Sequence, residues 1–245
     1  MGLINPLANQ LAVITGASSG IGKAIALALA ANGVALCLVG RKLATLEAVA
    51  RSARTTAPQV RCYQADLMLD EDIRALTTCL QRDFAYLDLL IHSAGVISLG
   101  RVECAPVDDF DRQYRTNVRA PYALTQALLP ALISRRGQIV FINSSASLNG
   151  KANVGQYAAT KYALKAIADS LRCEVNADGV RVLSVFVGST ASPMQAAVHE
   201  MEGREYHPEL LMQPEDVAAV VINALSLPRT AELSEVSIRP MRKLL

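Results

Sequence analysis

The sequence has no tryptophan, and aromatic residues make up only 4% of it. Excess charge of either sign is missing too, with 24 Lys and Arg against 22 Asp and Glu and a net charge of +2. Such a balance leaves no electrostatic footprint for nucleic acid, and no run of basic residues overrides it. Long apolar runs are also absent. The longest uncharged stretch near the start, 24–40, is cut by the turn signal Asn32-Gly33, so no membrane span is expected there. The opening residues MGLINPLANQ lack the basic and apolar regions of a signal peptide. Cys37, Cys62, Cys79, Cys104 and Cys173 are odd in number, scattered and never in a CxxC pair. That argues against a disulfide framework or zinc cluster, so a reducing cytoplasm and no metal are expected. Low-complexity tracts are lacking, and a hydrophobic content of 51% excludes a disordered chain.

What is present is a 245-residue chain, near the upper end of what one hydrophobic core supports. Short β-branched runs alternate with longer helical patterns. Strands are expected at 11–15, 34–39, 60–64, 87–92, 138–143, 180–187 and 235–238. Helices are expected at 23–31, 42–54, 70–82 and 156–177, with another opened by Pro214-Glu215-Asp216. A long helical region at 107–134 is expected to bend near Pro121. Strands that are apolar on both faces and alternate with helices imply an α/β fold, a doubly wound parallel sheet with helices on both faces. No linker or internal repeat divides the chain, so a single domain over 1–245 is expected. In such sheets ligands bind outside the carboxyl ends of the strands, which points to the loops after Thr15, Val39, His92, Asn143 and Val187.

The first of these loops reads Thr15-Gly16-Ala17-Ser18-Ser19-Gly20-Ile21-Gly22. Glycines between a strand and a helix let backbone approach a pyrophosphate, and the helix N-terminus offers oriented N–H groups to its charge. Farther on, Tyr157 and Lys161 stand four apart and share a helix face. A free tyrosine titrates near pH ~10 and is a poor base at neutrality. A nearby ammonium favours the phenolate, which is the tuning that general acid–base catalysis needs. Ser144 ends the 138–143 strand, where its hydroxyl can reach a substrate oxygen.

With these residues in order, the chain resembles the short-chain dehydrogenase/reductase family in its short single-domain form, with a Rossmann-type sheet. TGASSGIG is similar to the family's cofactor signature, and Asp66, before Leu67, to the acid that contacts adenine. His92-Ser93-Ala94-Gly95 stands for the family's NNAG stretch, with His92-Ser93 replacing the paired Asn. Asn117, Ser144, Tyr157 and Lys161 match the catalytic tetrad, Asn117 holding a water that links Lys161 to solvent. Val187-Gly188 matches a Pro-Gly loop beside the nicotinamide, with Val187 in place of Pro and Ser192 where a Thr commonly touches the carboxamide. The resemblance thus implies cofactor contacts from Gly16, Ser18, Ser19, Gly20, Ile21, Gly22, Arg41, Asp66, Leu67, Ser93, Ala94, Gly95, Tyr157, Lys161, Gly188, Thr190 and Ser192. It also implies hydride transfer between nicotinamide and a carbonyl, with Tyr157 as general acid/base. Relatives pair the helices matching 107–134 and 156–177 into a four-helix bundle, so a homodimer or homotetramer is expected.

Gly40 occupies the place where NAD-preferring relatives carry Asp, and Arg41 follows it. A guanidinium there can clamp a 2′-phosphate that a carboxylate would repel, so NADP(H) is favoured over NAD(H). The segment 189–212 is expected to be a mobile lid over a small carbonyl or secondary alcohol substrate. Met194 and Met201 lie within it and Met212 ends it. His199 and His207 are expected at the surface, His92 in the core, and Asp108, Asp109 and Asp111 at a helix start. A second reading is a non-catalytic NADP(H)-binding redox sensor or regulator. It keeps the glycine loop but has no need of the four tetrad residues together.

Overall fold

The strand β1 (Leu11–Thr15) is buried at all of its five residues, yet its side chains divide between two cores. Ala12 and Ile14 join one, and Leu11 and Val13 the other. The same alternation runs through β2 (Ala35–Gly40), where Leu36 and Leu38 face one core and Cys37 and Val39 the other. A strand buried on both faces must be covered on both, and the helices do so. The computed structural model describes residues 5–241.

Among the described residues seven parallel strands form one sheet, in the order β3 (Val60–Gln64), β2, β1, β4 (Leu89–His92), β5 (Gln138–Ser144), β6 (Arg181–Val187), β7 (Glu235–Ile238). On one face lie α1 (Gly20–Ala31), α2 (Leu43–Ala53) and α8 (Pro214–Leu225), with Ile25, Leu29, Leu46, Val217 and Val221 in the core. On the other lie α3 (Asp70–Asp83), α5 (Ala120–Ile133) and α6 (Gly155–Val175), contributing Leu76, Leu80, Leu124, Leu128, Leu164 and Leu171. Strand order reverses between β1 and β4. The expected doubly wound sheet is therefore observed. Its switch point puts the glycine loop beside the loop after His92.

Several boundaries differ from the sequence pattern for physical reasons. Val34 and Val180 do not begin strands, because their N–H groups close the preceding helices onto the Leu29 and Val175 carbonyls. Gly33 and Gly179 make those closures possible, each at φ +75°. Leu87 donates to the Ala131 carbonyl, and β4 starts only at Leu89. The region 107–134 is divided into α4 (Val107–Tyr114), a π-helical turn at Arg115–Arg119, and α5. The break thus lies just before Pro121. The segment 189–212 contains α7 (Pro193–Met201) and a short 3₁₀ turn at Pro208–Leu210. Within it His199 is buried, at 4% exposed, which corrects the expected surface position. His207 is exposed beside Glu205 and Glu209. All five cysteines are free thiols. Among the described residues no helix is long and apolar enough to cross a membrane.

Candidate active site

The site is assembled where β1, β4, β5 and β6 end. Gly16 takes φ +67°, and a Cβ there would meet the Ala94 backbone at 2.8 Å. A Cβ on Gly22 would meet the Gly16 carbonyl oxygen at 2.3 Å. Both positions accept only glycine, so the loop lies flat between the sheet and α1. Ser19, at the N-cap of α1, makes no side-chain cap bond, and the first turn of α1 has no acidic residue. The N–H groups of that turn meet no carboxylate within it that would compete for them, a fit for a pyrophosphate. Thr15 was not singled out from the sequence, yet it organises this region. Its Oγ1 accepts the N–H groups of Ser93 and Ala94, both at 3.1 Å. The signal was a buried hydroxyl at the last position of an otherwise apolar strand.

Asp66 Oδ1 accepts the Met68 N–H at 3.0 Å, and the Asp66 N–H donates to Asp72 Oδ2 at 2.7 Å. Leu67 beside it is buried. Arg41 is exposed at the end of β2, and its carbonyl accepts from Gln64 Nε2. At the end of β6, the Gly188 N–H binds the Ile238 carbonyl, and Thr190 Oγ1 donates to the Gly188 carbonyl at 3.1 Å. Ser192 caps α7 by accepting the Gln195 N–H, with its Cβ 3.3 Å from where a Gly20 Cβ would lie. The start of α7 is thereby set against the glycine loop.

The tetrad positions converge from three elements. A Cβ on Gly95 would lie 3.4 Å from Asn117 Oδ1, 3.9 Å from Lys161 Nζ and 3.7 Å from Met194 Cε of α7. Lys161 and Tyr157 are buried on α6, with Nζ 5.8 Å from the Tyr157 ring centre. Lys161 Nζ donates to the Ile142 carbonyl at 3.1 Å. Burial alone pulls its pKa down from 10.5 to about 8. Burial also pushes the Tyr157 phenol up, against a weaker opposing hydrogen bond from Ser144. The sequence suggested that Lys161 would tip Tyr157 towards phenolate. In this structure burial and the Ser144 hydrogen bond are what act on the phenol, and burial, the larger, raises its pKa.

Supporting contacts fix these groups. Asn143, also overlooked in the sequence, donates from Nδ2 to the Lys161 carbonyl and accepts the Ser144 N–H at 2.8 Å. Ser147 donates to the Ser144 carbonyl at 2.7 Å. Asn117 lies in the π turn, where the Ala120 N–H reaches back five residues to the Arg115 carbonyl. Pro121 has no N–H to return to the Asn117 carbonyl, as an α-helix would require. His92 packs on Phe141 at 4.9 Å, and its Nε2 meets Thr125 Oγ1 at 2.8 Å. Among the described residues, no group of His, Cys, Asp and Glu is arranged to hold a metal ion.

Residues 10–203 match the short chain dehydrogenase family. A metagenomic short-chain oxidoreductase solved with NADP is 30% identical, with a TM-score of 0.83 over 97% of this chain and 99% of that one. An alcohol dehydrogenase from the archaeon Thermococcus sibiricus, complexed with 5-hydroxy-NADP, is 26% identical. Its TM-score is 0.87 over 96% of this chain and 98% of that one. The glycine betaine reductase ATRR of Emericella nidulans is 29% identical over 96% of this chain, which spans only 19% of that longer protein.

Proposed function

The chain belongs to the short-chain dehydrogenase/reductase family, oxidoreductases that act on CH–OH and carbonyl groups with NAD(P), and from that premise we propose an NADP(H)-dependent reductase of small carbonyls, reversible towards secondary alcohols. The observation that carries this reading is that Asn117 and Lys161 meet beside Gly95, with the Tyr157 ring 5.8 Å from Lys161 Nζ and its phenol within reach of Ser144. The glycine loop, the uncapped α1 terminus and Asp66 would hold a dinucleotide. Bound nicotinamide supplies the hydride. Ser144 then donates a hydrogen bond to the substrate oxygen, and Tyr157 gives that oxygen its proton as negative charge develops. Lys161, buried and aimed along β5, stabilises the phenolate left behind. Asn117 holds the water that returns a proton from solvent. In the oxidative direction Tyr157 accepts the alcohol proton.

Arg41 clamps the 2′-phosphate, and the bare Gly40 leaves room for it; both NADP-bound relatives are in keeping with this choice. The segment 189–212 serves as the substrate lid, with Met194 and Val198 closing over the substrate and water excluded from hydride transfer. Its two ends are tied by paired hydrogen bonds between Ser189, Ala191 and Met212. We assign the working form to a cytoplasmic homo-oligomer that pairs through the exposed Phe110, Tyr114, Tyr122 and Tyr162 on α4 to α6. Sedimentation of the wild type as a monomer would refute that pairing.

The decisive experiment follows NADPH absorbance against a panel of ketones, diketones and keto sugars. Tyr157→Phe should lower turnover about 10⁴-fold, the upper end for a lost general acid, while NADPH affinity stays within twofold of the wild type. Full activity in that variant would end the proposed mechanism.

A further inference from the structure

Helix α4 turns most of its surface to solvent, with Val107 71% and Tyr114 47% exposed. The side chain it buries is a polar one, Gln113, at 0% exposed. Its Oε1 accepts the Ser98 N–H at 3.0 Å. Its Nε2 donates to the Asp109 carbonyl at 3.1 Å and to Gln156 Oε1 at 3.2 Å. One turn on, Asn117 Oδ1 accepts the Val96 N–H at 2.8 Å, while its Nδ2 donates to the Val96 carbonyl at 2.9 Å. Two side-chain amides thus bind alternate residues, Val96 and Ser98, of the segment that follows β4.

The periods make this possible. Residues four apart on a helix are separated by about 6 Å along its axis, and alternate strand residues by about 6.6 Å. Gln113 and Asn117 are therefore in register with Ser98 and Val96. Arg112 adds a bond to Ser98 Oγ at 2.6 Å. The gripped segment begins at Gly95, the residue surrounded by Asn117, Lys161 and Met194. Beyond it, the Gly100 N–H binds the Asn153 carbonyl ahead of α6. Gln156, the second partner of Gln113, directly precedes Tyr157 and donates to the Pro106 carbonyl at 2.9 Å.

We infer that Gln113 is a positioning residue for the substrate: through Ser98 and Gln156 it fixes the 96–98 wall against the first turn of the Tyr157 helix, and so governs substrate affinity rather than cofactor affinity. The inference rests on the carbonyl reductase reading of this site. It separates two possible uses of a buried glutamine. If Gln113 only fills space, leucine of similar size is the better replacement and a buried glutamate the worse one. If it holds the wall, glutamate keeps the acceptor for the Ser98 N–H and leucine orphans that donor.

The test compares Gln113→Leu and Gln113→Glu in the full chain. It uses amide hydrogen exchange of 94–100, NADPH binding by fluorescence, and NADPH oxidation with 2,3-butanedione as the carbonyl probe. In Gln113→Leu the 94–100 amides should exchange about tenfold faster and the diketone KM rise about tenfold, the scale of one orphaned buried donor. Its kcat should stay within about threefold and its NADPH affinity unchanged, while Gln113→Glu lies nearer the wild type in exchange and KM. Leucine behaving as wild type, or glutamate exceeding leucine in both readouts, overturns the inference. A wild type that oxidises no NADPH with any carbonyl counts against the reductase reading instead. The exchange order of the two variants then still decides whether Gln113 holds the wall.

Discussion

Gly40 ends β2 without a side chain, and the guanidinium of Arg41 beside it is exposed. Removing a charge-assisted contact to phosphate costs about 1.5–3 kcal/mol, so Arg41→Ala should weaken NADPH binding roughly ten- to a hundredfold and leave NADH binding unchanged. Gly40→Asp should go further and invert the preference. A Cβ at Gly40 would lie 3.2 Å from Leu46 Cδ2, so that flexible side chain must shift and some stability is lost. Titrating both cofactors against the three proteins checks the pair; equal NADH and NADPH affinities in the wild type would refute the assignment. Lys161 supplies a different residue-scale test. Its folded pKa, about 8, lies below the ordinary 10.5. Below pH 8 the ammonium is buried at full cost, and between pH 8 and 10.5 the folded state sheds its proton and the cost fades. Wild-type stability should therefore climb over that window by about 1.4 kcal/mol per pH unit. Lys161→Met should lack the climb and be more stable at pH 7 by about 3 kcal/mol, before the lost bond to the Ile142 carbonyl is counted. Denaturant titrations at pH 7 and 10 measure both, and a variant less stable than wild type at pH 7 would contradict the burial argument.

The elements differ in how far the sequence reveals them. β1 and α1 were legible because local signals agree: an apolar run, a glycine loop, then Ala and Leu up to Asn32-Gly33. Asn117, Ser144, Tyr157 and Lys161 were legible as candidates because their order along the chain carries the pattern. Thr15, Asn143 and Gln113 were not, since their partners lie far along the chain and no local period marks them. The π turn at Arg115–Arg119 hid for a similar reason. Pro121 announced a break, but a proline disturbs the turn before it. The segment 189–212 was the least legible, because its order comes from tertiary contacts. Tyr206 accepts the Ser192 N–H at 3.1 Å and packs edge-on to the buried His199 ring at 5.3 Å. That clasp closes the loop 14 residues apart, leaving Arg204 exposed beyond α7. Tyr206→Phe removes the bond without emptying the site. An Arg-specific protease should then cut at Arg204 several-fold faster than in the wild type. NADPH with an unreactive ketone analogue should slow cleavage of the wild type. Equal cutting with and without ligands would mean that the segment is not a lid.

At the scale of the whole molecule, stability rests on a sheet whose central strands are enclosed on both faces, and one of them carries a titratable ring. His92 ends β4 between β1 and β5, stacked on Phe141. Its Nε2 meets Thr125, while its buried Nδ1 has no partner among the described residues. Burial draws its pKa from 6.5 down to about 3, so the folded protein keeps the ring neutral. Once unfolded, the same ring takes up a proton below pH 6.5. The unfolded state therefore binds more protons than the folded state between pH 6.5 and about 3, and stability must fall as pH falls. The slope from this residue alone is about 1.4 kcal/mol per pH unit, or about 3 kcal/mol between pH 6.5 and 4. For a domain of this size that is a substantial part of the usual total of about 5–15 kcal/mol. His92→Asn removes the titration while keeping a polar group opposite Thr125. The variant should lose about 3 kcal/mol less than the wild type when urea unfolding is moved from pH 7 to pH 4. Parallel losses in the two proteins would place the acid sensitivity in groups other than His92.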